Sequence, residues 1–125
     1  MLECYHATVS LMWTCWQVDL PALVKAGLKT VTVRIGHICM KGALFIFVSG
    51  RSSFLCAVVR MRHTTFADLT QQEMFLEGFM PRGDDQRSKL LRRVLMRRVL
   101  SFFAGKWIRD GDAVTVVRFK VVHAL

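Results

Sequence analysis

At 125 residues the chain has room for one domain and little more. Its 53% hydrophobic content excludes a disordered chain. Its longest near-continuous apolar runs, residues 43–48 and 54–61, are strand-sized and fall short of the about 20 residues that a membrane-spanning helix needs. Eighteen Lys and Arg against nine Asp and Glu leave a formal charge of +9, which favours a polyanionic partner, nucleic acid before others.

No basic region leads into an apolar stretch at the N-terminus, and Glu3, Tyr5 and His6 interrupt it, so no cleaved signal peptide is expected. Residues 8–18 are apolar without a clear period and read as a strand. Asp19 can cap a short helix that carries Pro21 early, where a missing N–H costs least, and that runs to Ala26 before Gly27 ends it. Residues 29–34 alternate strictly, which predicts a half-buried strand with Val31 and Val33 on one side and Thr30, Thr32 and Arg34 on the other.

Residues 43–48 form the next strand, and Gly50-Arg51-Ser52 turns it into a further strand over 54–61, a hairpin. Thr70 and Glu73 have capping-box spacing and start a short helix that Gly78 stops. Asp84 and Asp85 open a longer helix at its positive end. It continues to Phe103 or Ala104 and stops at Gly105. The turn Asp110-Gly111-Asp112 leads into a last strand over 113–122. Strands with short inserted helices predict an α+β barrel, closed to hide its edges.

The cysteines Cys4, Cys15, Cys39 and Cys56 form no CxxC pair, and three of them sit in apolar stretches where a thiol packs as a small hydrophobe. Reduced thiols in an intracellular compartment, cytoplasmic or nuclear, are expected. His6, His37, His63 and His123 are scattered. Cys4 with His6 would make half a metal site with no second half at a recognisable spacing, so neither metal nor cofactor is expected.

In the long helix, Leu91, Val94, Leu95, Val99 and Phe102 form one stripe, with Lys89, Arg93 and Arg97 on the opposite face. That basic face is either simply solvated or a phosphate contact. Arg98 lies within the apolar stripe, where it either snorkels past the core edge or points its guanidinium into a pocket. Lys29 and Arg34 bracket two threonines within one strand length. They are either solvated charges or a cluster in which the arginine depresses the lysine's pKa and readies it to take a proton.

The segment Gly27-Leu28-Lys29-Thr30-Val31-Thr32-Val33-Arg34 resembles the G-x-K-T-x-T-x-R signature of ASCH domains. The likeness continues through Gly42, Leu69-Thr70 and Glu77-Gly78-Phe79 to Asp112-Ala113-Val114-Thr115-Val116-Val117-Arg118-Phe119. It covers roughly residues 20–122 in the family's order and leaves residues 1–19 as an N-terminal extension of a single domain over 1–125. The resemblance implies a PUA-like barrel associated with RNA. Within the family, the small bacterial YqfB-like branch hydrolyses the amide of N4-acetylcytidine with a Lys, a Thr and a Glu. These fall on Lys29, Thr32 and Glu77 here, while Ala43 stands where that branch has an acidic residue.

An amide hydrolase needs a nucleophile, a proton acceptor and an oxyanion stabiliser. Thr32, Lys29 and Arg34 can fill these roles, with Glu77 either protonating the leaving amine or orienting Lys29. Otherwise Glu77 makes a surface pair with an arginine. Two function classes follow for this membrane-free, basic domain. One is a hydrolase of acylated cytidine. The other is a non-catalytic module for RNA or a nucleotide in which Lys29, Arg34 and the basic face of the helix grip phosphates while the pocket accepts one base, with Thr30, Arg93, Arg97 and Arg98 among the binding contacts. A ribonuclease using Lys29 and Glu77 as acid and base is the weaker third.

Overall fold

A computed structural model describes residues 3–6, 20–39, 44–49, 51–77 and 83–125. The elements are β1 (Glu3–His6), α1 (Leu20–Lys25), β2 (Val31–Ile35), β3 (Leu44–Ser49), β4 (Ser52–Thr65), a 3-10 turn (Phe66–Asp68), α2 (Gln71–Leu76), α3 (Gln86–Ala104) and β5 (Ala113–Ala124). The strand expected over 8–18, the cap Asp19, the Gly42-Ala43 pair and the stop signals Gly50 and Gly78 lie outside the described residues, as do the side chains of Cys4 and His6.

The five strands form one sheet in the order β1-β3-β4-β5-β2, and every neighbouring pair is antiparallel except β1 with β3. The architecture is α+β, as expected. The barrel is not met among the described residues: β1 and β2 are the two edges and the sheet stays open. The physical reason is visible at β2, whose outer edge is covered by side chains instead of by another strand. Val31 C=O accepts from Lys29 Nζ at 2.6 Å, and Val33 N–H donates to Glu77 Oε2 at 2.7 Å.

The spine is the β4–β5 ladder. β4 runs four residues beyond the expected Met61 because Thr65 still pairs with Ala113, so Arg62, His63, Thr64 and Thr65 are paired with strand residues despite their polarity. One face of the sheet carries Val31, Val33, Val114 and Val116 against Phe66, Leu69, Met74 and the buried side of α3. The other carries Phe45, Phe47, Phe54, Cys56, Val117 and Phe119, with Val24 of α1 packed on them. Both faces are therefore covered. This corrects the expectation of a wet face on residues 29–34: Thr32 is buried, and so is Lys29, which precedes the strand.

Local signals hold where they were strongest. Gly27 (φ 70°) and Gly105 (φ 67°) end α1 and α3 in the left-handed region that glycine adopts without a Cβ penalty. Thr70 Oγ1 accepts from Glu73 N–H while the Glu73 carboxylate accepts from Thr70 N–H, a complete capping box. Asp85 is the N-cap position of α3, and its carboxylate accepts from the Ser88 hydroxyl.

The helix stripe is rotated from its expected position. α3 buries Arg92, Leu95, Met96, Val99 and Leu100, while Val94 and Phe102 are exposed. Apolar residues occupy more than one face of this helix. The buried face holds Met96 and Leu100 and also Arg92, whose guanidinium is satisfied there, donating to Gln71 Oε1 at 3.1 Å and Gly83 C=O at 2.7 Å.

Candidate functional site

The site forms where the α1–β2 connection meets the C-terminal end of α2. After Gly27, the N–H groups of Leu28 and Lys29 return to Leu23 C=O, closing α1. Thr30 is then held from both sides: its N–H donates to Leu76 C=O at the end of α2, and its C=O accepts from Phe119 N–H of β5, each at 3.0 Å. This fixes the start of β2 against both neighbours and delivers Lys29 to the end of α2.

Glu77 is the C-cap residue of α2. One carboxylate oxygen takes Lys29 Nζ and the other takes Val33 N–H, so Glu77 lies against the Thr32–Val33 peptide and not across the sheet. Lys29 and Glu77 are 3% and 4% exposed, which makes this a desolvated ion pair; the surface pair with an arginine is ruled out by what Glu77 touches. The Lys29 ammonium also lies 5.7 Å from the Phe47 ring centroid. Burial pushes its pKa below the usual lysine range. Glu77 and its hydrogen bond partly offset this, and the nearby Arg34 guanidinium adds to the lowering.

Thr32 lies on the phenylalanine-lined face, opposite Val117 of β5, and its hydroxyl makes no hydrogen bond to another described residue. Arg34 stands two residues further on the same face, opposite Thr115. Thr115 Oγ1 donates to Gly36 C=O at 2.8 Å and accepts from Ile38 N–H at 2.9 Å, which anchors the segment leaving β2. Lys29, Thr32, Arg34 and Glu77 thus gather around one short strand.

The helix arginines do not join them. Arg93 donates to Phe66 C=O and Leu69 C=O at 3.2 and 2.8 Å, and Arg97 donates to Ile108 C=O at 2.6 Å and pairs with Asp110. Both guanidinium groups also lie over the Phe66 ring. They staple α3 to the segments around residues 66–69 and 108–110, so these two guanidinium groups are engaged within the fold and not simply solvated. Arg98 is exposed.

A cleft of about 170 Å³ that the sequence did not announce lies on the opposite, α2-covered face, lined by Arg60, Arg62, Thr70, Gln72, Glu73, Val116 and Arg118. The available signal was the Arg60-Met61-Arg62 alternation, hidden because the expected strand stopped at Met61 and residues 62–65 did not read as part of it. Among the described residues no group of His, Cys, Asp and Glu could hold a metal ion, and no helix is long and apolar enough to cross a membrane.

No family model matches the chain, and no curated protein matches it in sequence. Solved structures do. An ASCH domain from Lactobacillus crispatus JV V101 superimposes with a TM-score of 0.58 at 14% identity, covering 96% of this chain and 80% of that one. Protein EF3133 from Enterococcus faecalis V583, of the DUF984 family, superimposes with a TM-score of 0.64 at 13% identity, covering 84% and 68%. At such low identity the likeness speaks for the fold: this chain is folded as an ASCH domain.

Proposed function

We propose that this domain acts on RNA or a modified nucleoside, hydrolysing the amide of an acylated cytidine such as N4-acetylcytidine. The observation that carries the proposal is the buried Lys29–Glu77 pair set against the strand that bears Thr32. Desolvation opposes burying an ammonium and a carboxylate together, so stability alone is a poor reason for this pair.

In the proposed reaction Thr32 Oγ1 attacks the acyl carbonyl and its proton passes to the Lys29 amine, which burial and Arg34 make easier to deprotonate. Arg34 offsets the charge that develops on the carbonyl oxygen. Lys29 then hands its proton to the departing cytosine amine. Water attacks the acyl-threonine ester and releases acetate, restoring the hydroxyl. Glu77, held by both oxygens, serves as the positioning residue for Lys29.

A non-catalytic nucleotide-binding module remains the second possibility, favoured by the +9 charge and by the way Lys29 and Glu77 already occupy the open edge of β2. Incubation with N4-acetylcytidine, with cytidine followed chromatographically, separates the two. Thr32→Val keeps shape and β-propensity. It should cut turnover by orders of magnitude while ligand affinity falls by no more than one hydrogen bond, about 0.5–1.5 kcal/mol. A wild-type protein inert toward acylated nucleosides that binds RNA in a Lys29-dependent way sinks the hydrolase.

A further inference from the structure

The geometry of the β4–β5 ladder points to a second site: we infer that the cleft between Arg60 and Arg118 binds a phosphate group, that of a nucleic-acid strand. The site lies on the face opposite Thr32 and does not depend on the hydrolase proposal.

The register carries the inference. Val58 pairs with Phe119 and Arg60 with Arg118, so Val59 is an extra residue, a β-bulge. Before it, Val58 faces the phenylalanine cluster. After it, Met61 takes up that face, opposite Val117, and Arg60 and Arg62 turn to the α2 side. Without the bulge Arg60 would point into the apolar cluster. With it, Arg60 stands directly across from Arg118, a like-charged cross-strand pair that ordinarily destabilises a sheet.

Neutralisation in the cleft is incomplete. Arg62 forks onto Glu73, Nε to Oε2 at 3.0 Å and Nη2 to Oε1 at 2.6 Å, and also donates to Asp68 C=O. That pair consumes the carboxylate lining the cleft. Neither the Arg60 nor the Arg118 guanidinium has a hydrogen-bond or ion-pair partner among the described residues. Thr70 and Gln72 complete the polar wall. At about 170 Å³ the space is below the roughly 300 Å³ at which small-molecule pockets begin, so it suits a phosphate better than a whole nucleoside. Paired guanidinium groups present the planar donors that phosphate oxygens accept.

The test uses two probes, inorganic pyrophosphate and a short single-stranded oligouridylate, on wild type and on the Arg60→Gln/Arg118→Gln protein. Arg60 is exposed and Arg118 half-buried, and the Arg60→Lys/Arg118→Lys protein controls for loss of fold. The glutamine pair should weaken oligouridylate binding by about tenfold or more. Between about 50 and 200 mM salt, the slope of log affinity should flatten by about 0.7 per lost phosphate contact. The lysine pair should keep most of the slope, and hydrolysis of free N4-acetylcytidine should not change. Pyrophosphate binding lost in the glutamine protein, with oligouridylate binding untouched, would overturn the nucleic-acid assignment in favour of a free phosphate compound. An unchanged slope and unchanged affinity for both probes, or a wild type that binds neither, would overturn the site.

Discussion

Replacing Glu77 by Gln leaves the side chain's shape and an oxygen for Val33 N–H, but strands the buried Lys29 ammonium without its counter-charge. Breaking a buried pair by removing one partner costs about 3–5 kcal/mol, and for a domain of this size that corresponds to roughly 10–20 °C in Tm. Lys29 has an escape: its folded pKa already lies below the usual range, and loss of the carboxylate removes what holds it up. The unfolded chain then binds more protons than the folded one between the folded and unfolded lysine pKa values. Stability must therefore rise with pH through that window. The deficit of Glu77→Gln should shrink as pH rises, by up to about 1.4 kcal/mol per unit. Thermal unfolding followed by circular dichroism from about pH 6 to about pH 9 measures it against the lysine pKa near 10.4. Lys29→Met/Glu77→Gln should regain much of the loss, since no unpaired charge remains buried. A single variant as stable as wild type at every pH, or a double variant no better than the single, refutes the reasoning.

Three other outcomes are expected. Arg93→Ala/Arg97→Ala should lower stability by about 2 kcal/mol or more, because backbone carbonyls of Phe66, Leu69 and Ile108 lose charged donors. Calorimetry should register this while the salt slope for RNA stays put. Burial raises the Glu73 carboxyl's pKa, but the Arg62 fork and Thr70 N–H outweigh that and hold it below the usual 4.5. The stability it contributes is present above pH 4.5 and lost as pH falls through the folded value, so the urea-midpoint gap between wild type and Arg62→Met should close in acid. Cys39 is exposed whereas Cys56 is buried, its thiol pushed up to about 11 by burial. Alkylation of the folded protein with peptide mass mapping should mark Cys39 and spare Cys56 until denaturant is added.

What the sequence made legible was local. Gly27 and Gly105 announce helix ends because only a left-handed residue closes them, and Thr70 with Glu73 announces a start because the two groups satisfy each other. The Lys29, Thr32, Arg34 and Glu77 set was legible through resemblance, and its gathering depends on Thr30 being tied to Leu76 and Phe119, contacts no pattern along the chain displays. Alternation over 29–34 says that two faces differ but not that one is wet. The phenylalanines that cover Thr32's face come from β3, β4 and β5. Likewise the bulge at Val59 is a fact of register between distant segments, and without it Arg60 and Arg118 cannot be seen as neighbours.

The open edge of β2 ties fold and chemistry together. An edge strand has backbone groups to satisfy, and here a lysine and a glutamate satisfy them from two different elements. A neutral polar pair could cover the same N–H and C=O without desolvating two charges, so edge coverage alone does not explain Lys29 and Glu77. What the charged pair adds is a buried lysine, which desolvation holds below its ordinary pKa against the pull of Glu77, beside a strand whose next residues on the phenylalanine face are Thr32 and Arg34. The same strand is pinned at its start by Thr30 and at its end through Thr115, so these groups sit on rigid backbone. The face that holds them is separated from the Arg60–Arg118 cleft by the sheet itself. A strand of nucleic acid gripped at that cleft would have to pass around the β2 edge to present a base to Thr32, and the edge is where Lys29 and Glu77 stand.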